Sequence, residues 1–176
     1  MPFKPYHFGP ALLFGLILLV VLDFPTFLIA NVILDIEGFL VLFFSLEYPL
    51  HGFFHSFLGG SIVALLLSLI MIKLRKYFTP IMSSLIIKQE ISNKKIFFGA
   101  LIGVNFHIFL DSFLYTDINP FFPSNYNPFL QNNYFIIDFI YSFCSWCFLG
   151  ALIMYLIIVV SHFNNKKKIK GISENS

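Results

Sequence analysis

Three long apolar stretches, at residues 52–72, 96–114 and 135–160, limit the folds that this chain can adopt. Each stretch contains at most one carboxylate and no lysine or arginine. A helix needs about 20 mainly apolar residues to cross roughly 30 Å of hydrocarbon. Because a backbone inside lipid must satisfy its own hydrogen bonds, these stretches predict membrane-spanning α-helices.

The low content of charged residues extends this prediction to the whole chain. Only 11% of the 176 residues are charged, whereas a soluble domain carries about 25%. We therefore expect an all-α, polytopic membrane helix bundle in residues 1–165. A basic polar tail, residues 166–176, follows it.

The first 46 residues are expected to contribute two further helices. Residues 10–22 are apolar but short. Asp23 is predicted to cap the next helix, which has Pro25 in its first turn. Residues 25–46 are long enough to span but contain two carboxylates. The sequence thus predicts about five membrane helices, the first of them retained rather than cleaved as a signal peptide.

The basic residues indicate an orientation. Of eleven lysines and arginines, six lie in residues 73–95 and four in residues 166–170, while residues 117–134 contain none. By the positive-inside rule the two basic clusters are cytoplasmic, so nucleic acid is not the expected partner. We expect a multi-pass protein of the plasma (inner) membrane with a cytoplasmic C-terminus and membrane lipids as partners. The sequence indicates no particular protein partner.

Ionisable side chains within apolar segments are costly in lipid and are therefore candidates for function. At 1.5 Å per helical residue, all the candidates fall in the outer half of the membrane. The sequence therefore predicts a polar cluster there. Its members are His7, Asp35, Glu37, His51, His55, His107 and Asp111.

The spacing of four candidates favours a metal site. His51 and His55 are four residues apart, as are His107 and Asp111, so each pair is expected to share a helix face. Imidazole and carboxylate groups in such pairs bind divalent ions. The cysteines of the CSWC sequence are instead expected to be small buried residues on one helix face, rather than a redox or zinc pair.

The remaining pair of carboxylates does not fit a regular helix. Asp35 and Glu37 are two residues apart and would point about 200° apart around the axis. We expect a local helix break near Gly38 that turns both carboxylates inward.

Each candidate also has a simpler interpretation. A histidine at the membrane interface can lie at the level of the lipid head groups, and an intramembrane aspartate can hydrogen-bond a neighbouring helix. Asn31 and Asn105 are suitable partners for such bonds. Asp117 is expected to be a solvated residue of the outer loop, or else the first additional member of the cluster.

Four short motifs occur in an order that resembles a known family. They are the YHF sequence around His7, the Asp35-x-Glu37 pair, the HGFFHS sequence that starts at His51, and the HIFLD sequence that ends at Asp111 before NPFFP. Together, over roughly residues 5–130, they resemble the LexA-binding, inner-membrane-associated hydrolases, also called membrane-bound metal-dependent hydrolases. The chain departs from the family pattern in having leucine before Asp35, Glu37 in place of aspartate, and no arginine after His51.

The resemblance and the clustered ligands together predict a metal-dependent hydrolase that cleaves a phosphoester of a lipid-like substrate at the outer face. The cofactor is expected to be one or two divalent ions, zinc by preference. Glu37 is predicted as the general base and Asp35 as a catalytic ligand. The predicted metal ligands are His7, Asp35, His51, His55, His107 and Asp111.

Two alternatives remain open. In one, a metal ion or a polar cluster staples the helices of a non-catalytic protein whose basic loop recruits a partner. In the other, the chain transports protons or metal ions. A transporter is less favoured because the inner half of the membrane is expected to hold almost no ionisable residues, and a polar cluster near Asp23 would favour it.

Overall fold

The computed structural model describes residues 5–174, with side chains described for residues 6–168. All regular elements in this part of the chain are helical, which confirms the predicted all-α class. The predicted tail of residues 166–176 lies partly outside the described residues. The α-helices are α1 (Phe8–Ile17), α2 (Phe24–Ala30), α3 (Asp35–Phe43), α4 (Phe57–Ser84), α5 (Asn93–Ser112) and α6 (Tyr134–Glu174).

Side-chain caps fix where two of the helices begin. The Asp23 carboxylate accepts hydrogen bonds from the Thr26 amide at 3.3 Å and the Thr26 hydroxyl at 2.6 Å, and Pro25 lies in the first turn of α2. The predicted cap at Asp23 is therefore confirmed. Ser56 Oγ accepts a hydrogen bond from the Gly59 amide at 3.0 Å and starts α4.

Three described helices, α4, α5 and α6, are long and apolar enough to cross a membrane. The pair α2 and α3, bent by 40°, forms a fourth if it acts as one broken span. Helix α1 has ten residues, about 15 Å at 1.5 Å per residue, which is too short to cross alone. The structure thus supports three or four spans rather than the predicted number of about five.

The break in the second span lies before Asp35 and not at Gly38. Residues 31–34 form the turn between α2 and α3, and α3 begins at Asp35. Gly38 lies inside α3, and no glycine among the described residues has a positive φ. The helix stop predicted at Gly38 is therefore wrong, although the expected interruption of this span exists.

Helix α5 forms the centre of the bundle. It packs against α2 and α4, while α6 packs mainly against α1. In the most apolar stretch of each helix, 56% of the residues of α5 are buried but only 17% of those of α6. Cys144 and Cys147 are buried, unbridged residues of α6.

The largest apolar cluster of the core fills the space between α2, α4 and α5. On α4 it includes Ala64, Leu67 and Met71, and on α5 it includes Ala100 and Val104. Along both helices these residues lie between the ends of the bundle. This apolar core therefore separates the two ends of the bundle from each other.

Candidate metal centre

Four side chains at one end of the bundle converge on one small volume. Asp35, His55, His107 and Asp111 each offer one ligand atom, and these atoms all lie within 4.8 Å of one another. Atoms bound to a single ion at about 2.0–2.2 Å lie at most about 4.4 Å apart. The arrangement is thus close to what one ion requires. Its members come from the start of α3, the 3-10 turn Phe53–His55 and the last turns of α5.

His55 presents one ring nitrogen to this volume and uses the other to fix its orientation. Its Nδ1 lies 2.7 Å from Glu37 Oε2. Because a carboxylate only accepts hydrogen bonds, Nδ1 carries the proton, and Nε2 keeps a lone pair. Nε2 is buried without a hydrogen-bond partner. Histidines that bind metals typically donate their second ring N–H to such a carboxylate.

Burial also keeps the His55 ring neutral. It lowers the pKa of His55, while the hydrogen bond to Glu37 acts in the opposite direction. The imidazole is therefore in the uncharged form that metal binding requires at neutral pH.

His107 is held in the same way by the main chain. Its Nδ1 donates a hydrogen bond to the carbonyl oxygen of Asn31 at 2.8 Å. Its Nε2 then faces two carboxylate oxygens, 3.2 Å from Asp111 Oδ2 and 3.7 Å from Asp35 Oδ1. A lone pair pointing at two carboxylates is repulsive in a buried site. This geometry calls for a cation between the three groups, either a proton on Nε2 or a metal ion.

His7 lies beside the group rather than in it. Its Nε2 is 2.8 Å from Asp111 Oδ1, and its ring centroid is 4.6 Å from that of His107. Both His7 and Asp111 are buried. His7 therefore connects the start of α1 to a carboxylate of the four-residue group.

His51 also lies beside the group, paired with Asp117. Its Nδ1 is 2.9 Å from Asp117 Oδ1, and its amide donates to Asp117 Oδ2 at 3.2 Å. Its ring centroid is 4.8 Å from that of His55. The prediction that His51 and His55 share a helix face is wrong, because α4 begins only at Phe57. A bend and the 3-10 turn bring the two rings together instead.

Two features of the site were missed by sequence analysis. The carbonyl of Asn31 has no signature in the sequence, because any residue has one. Tyr115 lies four residues after Asp111, and its ring centroid is 4.2 Å from that of His51. Burial, together with the nearby Asp111 carboxylate, raises the pKa of Tyr115, so its hydroxyl keeps its proton.

All seven candidate residues thus lie at the same end of the bundle. Four form the group of ligand atoms, two flank it, and Glu37 holds His55. Comparison of the chain with known protein families, curated proteins and solved structures gave no match. The four-motif resemblance therefore remains an expectation, and only the geometry of the site bears on its function.

A second polar cluster occupies the other end of the bundle. Arg75 Nε donates a hydrogen bond to Asp23 Oδ1, and both side chains are buried. Gln89 accepts from the Phe24 amide at 2.9 Å and donates to the Leu22 carbonyl at 2.7 Å. The expectation that this end holds almost no ionisable residues is therefore wrong. The cluster ties α2 and α4 to the segment before α5.

Proposed function

We propose that this chain is a membrane-bound, metal-dependent hydrolase whose divalent ion is held by Asp35, His55, His107 and Asp111. One observation carries the proposal. Two buried imidazoles with their Nδ1–H groups fixed both direct Nε2 into a volume that also contains two carboxylates. His55 Nε2 is buried there without a hydrogen-bond partner, and His107 Nε2 faces the two carboxylates of Asp111 and Asp35.

The donor set fits a first-row divalent ion. Two imidazole nitrogens and two carboxylate oxygens suit zinc, and they also suit manganese and iron. A divalent ion held by these four residues would lower the pKa of a water molecule and would polarise a phosphoester. We favour zinc because it prefers these nitrogen and oxygen ligands, and in a catalytic site three of the four side chains would bind it while the fourth position is left to water.

The residues around the four ligands orient them, and one of these residues is the candidate general base. Glu37 and the Asn31 carbonyl orient His55 and His107, and His7 orients Asp111. For the general base we favour His51 over Glu37. Glu37 already accepts the His55 proton, whereas Asp117 holds His51 Nδ1–H, so His51 Nε2 is the basic nitrogen of a His–Asp pair.

The substrate that we propose is a phosphoester lipid cleaved at the outer face of the plasma membrane. The four proposed ligands, Asp35, His55, His107 and Asp111, are called the metal group. This group lies where α5 ends and α4 begins, next to the loop of residues 117–134, which has no lysine or arginine. The basic residues of segment 73–95 lie in the second half of α4, in the connection after it and at the start of α5, and those of segment 166–170 lie near the end of α6. The positive-inside rule then places the C-terminus in the cytoplasm and the metal group at lipid head-group level outside.

Elemental mass spectrometry of the detergent-purified protein tests the proposal. Near-stoichiometric zinc or manganese is expected in the parent and is lost in the His55→Ala/His107→Ala variant. His162→Ala is the matched control, because His162 is an exposed histidine of α6. The metal-loaded parent is then incubated with radiolabelled phospholipids. Absence of metal from the parent after reconstitution with divalent ions would refute the site, and metal without phosphoester cleavage would refute the activity.

A structural role for the metal is the second candidate function. The four ligands join three separate elements, so a bound ion would cross-link α3, the turn before α4, and α5. A staple predicts that metal removal unfolds the bundle. An enzyme predicts lost turnover with the helices retained, as measured by circular dichroism.

A further inference from the structure

An apolar groove opens at the bend between α2 and α3. Its volume is about 350 Å³, within the range of small-molecule sites. All the side chains that line it are apolar: Phe8, Leu28, Ile29, Val32, Ile33 and Ile36. Such a groove favours a hydrocarbon occupant over a polar one.

Two of the residues that line the groove are sequence neighbours of residues in the site. Ile33 and Ile36 flank Asp35, which offers a ligand atom, and Phe8 follows His7, which contacts Asp111. The 40° bend separates the directions of α2 and α3, and the groove is lined from both sides of that bend. Two separate elements, the start of α1 and the start of α3, thus each place a groove-lining residue next in sequence to a residue of the site.

A second pocket, whose lining combines polar side chains with aromatic ones, adjoins the group from the loop side. Its volume is about 160 Å³, and its polar lining includes His51, Ser56, Asp117 and Asn119. His51 is also the residue whose ring lies 4.8 Å from that of His55. The four metal ligands thus lie among residues that line an apolar groove and residues that line a polar pocket. This is the pattern that an amphiphile needs.

We infer that the groove at the α2–α3 bend binds an acyl chain of the lipid substrate and so directs its phosphoester to Asp35, His55, His107 and Asp111. This inference rests on the proposed function and adds to it the class of substrate and the residues that select it. The polar pocket at His51 then faces the head group. Ile36 and Val32 determine which acyl chains fit.

Photo-crosslinking tests the assignment without requiring turnover. The full-length protein in detergent micelles is incubated with a phosphatidylcholine that carries a diazirine on one acyl chain, irradiated, and mapped by peptide mass spectrometry. Labelling is expected to concentrate in residues 28–36 over the exposed residues of α6. The Ile36→Trp and Val32→Phe variants, which narrow the groove, are expected to lose this enrichment.

Ile62→Trp provides the matched control. Ile62 is 45% exposed on α4 and Ile36 is 49% exposed, so both substitutions add the same bulk at a surface position. Ile62→Trp is expected to keep the enrichment in residues 28–36. Equal labelling of residues 28–36 and of α6, or enrichment that persists in both groove variants, would overturn the groove assignment.

Metal content, measured on the same samples, separates this inference from the proposed function. Stoichiometric metal without enrichment in residues 28–36 would overturn the groove and leave the hydrolase proposal standing. Enrichment without bound metal would overturn the substrate role, because the groove would then hold only a structural lipid.

Discussion

Glu37 Oε2 accepts the Nδ1 proton of His55 at 2.7 Å and thereby joins α3 to the turn before α4. The same carboxylate lies 3.4 Å from the amide nitrogen of Phe54, so it holds both the ring and the main chain of that turn. His55 Nε2 is left buried and directed toward the other ligands. This one contact determines both the tautomer and the direction of a proposed metal ligand.

Replacing Glu37 by glutamine is expected to weaken metal binding about 10- to 100-fold, the usual cost of losing such an orienting carboxylate. The amide keeps the shape of the side chain but loses its charge and makes His55 a less basic ligand. Affinity is measured by competition with a fluorescent zinc chelator. Glu47→Gln, at an exposed position, is the control and should bind as the parent does. An unchanged affinity of Glu37→Gln would show that Glu37 does not support a ligand.

Metal removal is expected to lower the thermal stability of the protein without unfolding it at room temperature. A ligand at about 100 times its Kd stabilises the folded state by about 2.7 kcal/mol. Dialysis against a chelator should therefore lower Tm and leave the helical circular dichroism signal intact at about 20 °C. Zinc added back should restore Tm. Loss of the helical signal on chelation would instead favour the structural staple.

The sequence predicted the site more accurately where the chain is regular. His107 and Asp111 lie on one face of α5, as their spacing requires, and their side chains are 3.2 Å apart. His51 and His55 have the same spacing but precede α4, because Ser56 caps that helix. The contact between these two rings depends on the bend and the 3-10 turn. Residue spacing alone does not predict this main-chain conformation.

The second buried cluster shows what charge counting cannot predict. Arg75 belongs to the basic group that indicated a cytoplasmic loop, yet its side chain is 1% exposed and pairs with Asp23. The two residues are 52 positions apart, so only the packing of α2 against α4 brings them together. The pair lies at the opposite end of the bundle from the four proposed metal ligands.

Close packing of α1 against α6 is expected to control the position of His7. A Cβ on Gly9 would lie 2.1 Å from the Cys144 carbonyl oxygen, so Gly9→Ala must push the two helices apart. We expect a loss of about 1–3 kcal/mol in the free energy of unfolding, as for other overpacked sites. Metal affinity should fall as well, because His7 contacts Asp111.

Gly150→Ala is the matched control at the same helix pair. The nearest atoms to its Cβ would belong to the Leu13 side chain, at 3.2 Å or more, and that side chain can rotate. Both variants gain helix propensity, so a difference between them reports packing alone. Thermal unfolding and zinc titration of the two proteins measure it. Equal stabilities would show that α1 and α6 separate at no cost.

The Asp23–Arg75 pair is expected to stabilise the fold rather than to conduct ions. Asp23→Asn leaves a buried guanidinium unpaired and should cost about 3–5 kcal/mol. Replacing Arg75 by methionine in the same variant should recover much of this loss. Because the apolar core between α2, α4 and α5 separates this pair from the metal group, both variants should bind zinc as the parent does. Thermal unfolding in detergent measures the stability of each variant, and elemental analysis measures its zinc content.

The transport alternative is tested separately. Liposomes that contain the parent protein should show no zinc or proton flux above that of protein-free liposomes. A flux that Asp23→Asn abolishes would instead identify a transporter, with the two polar clusters as successive sites along its path.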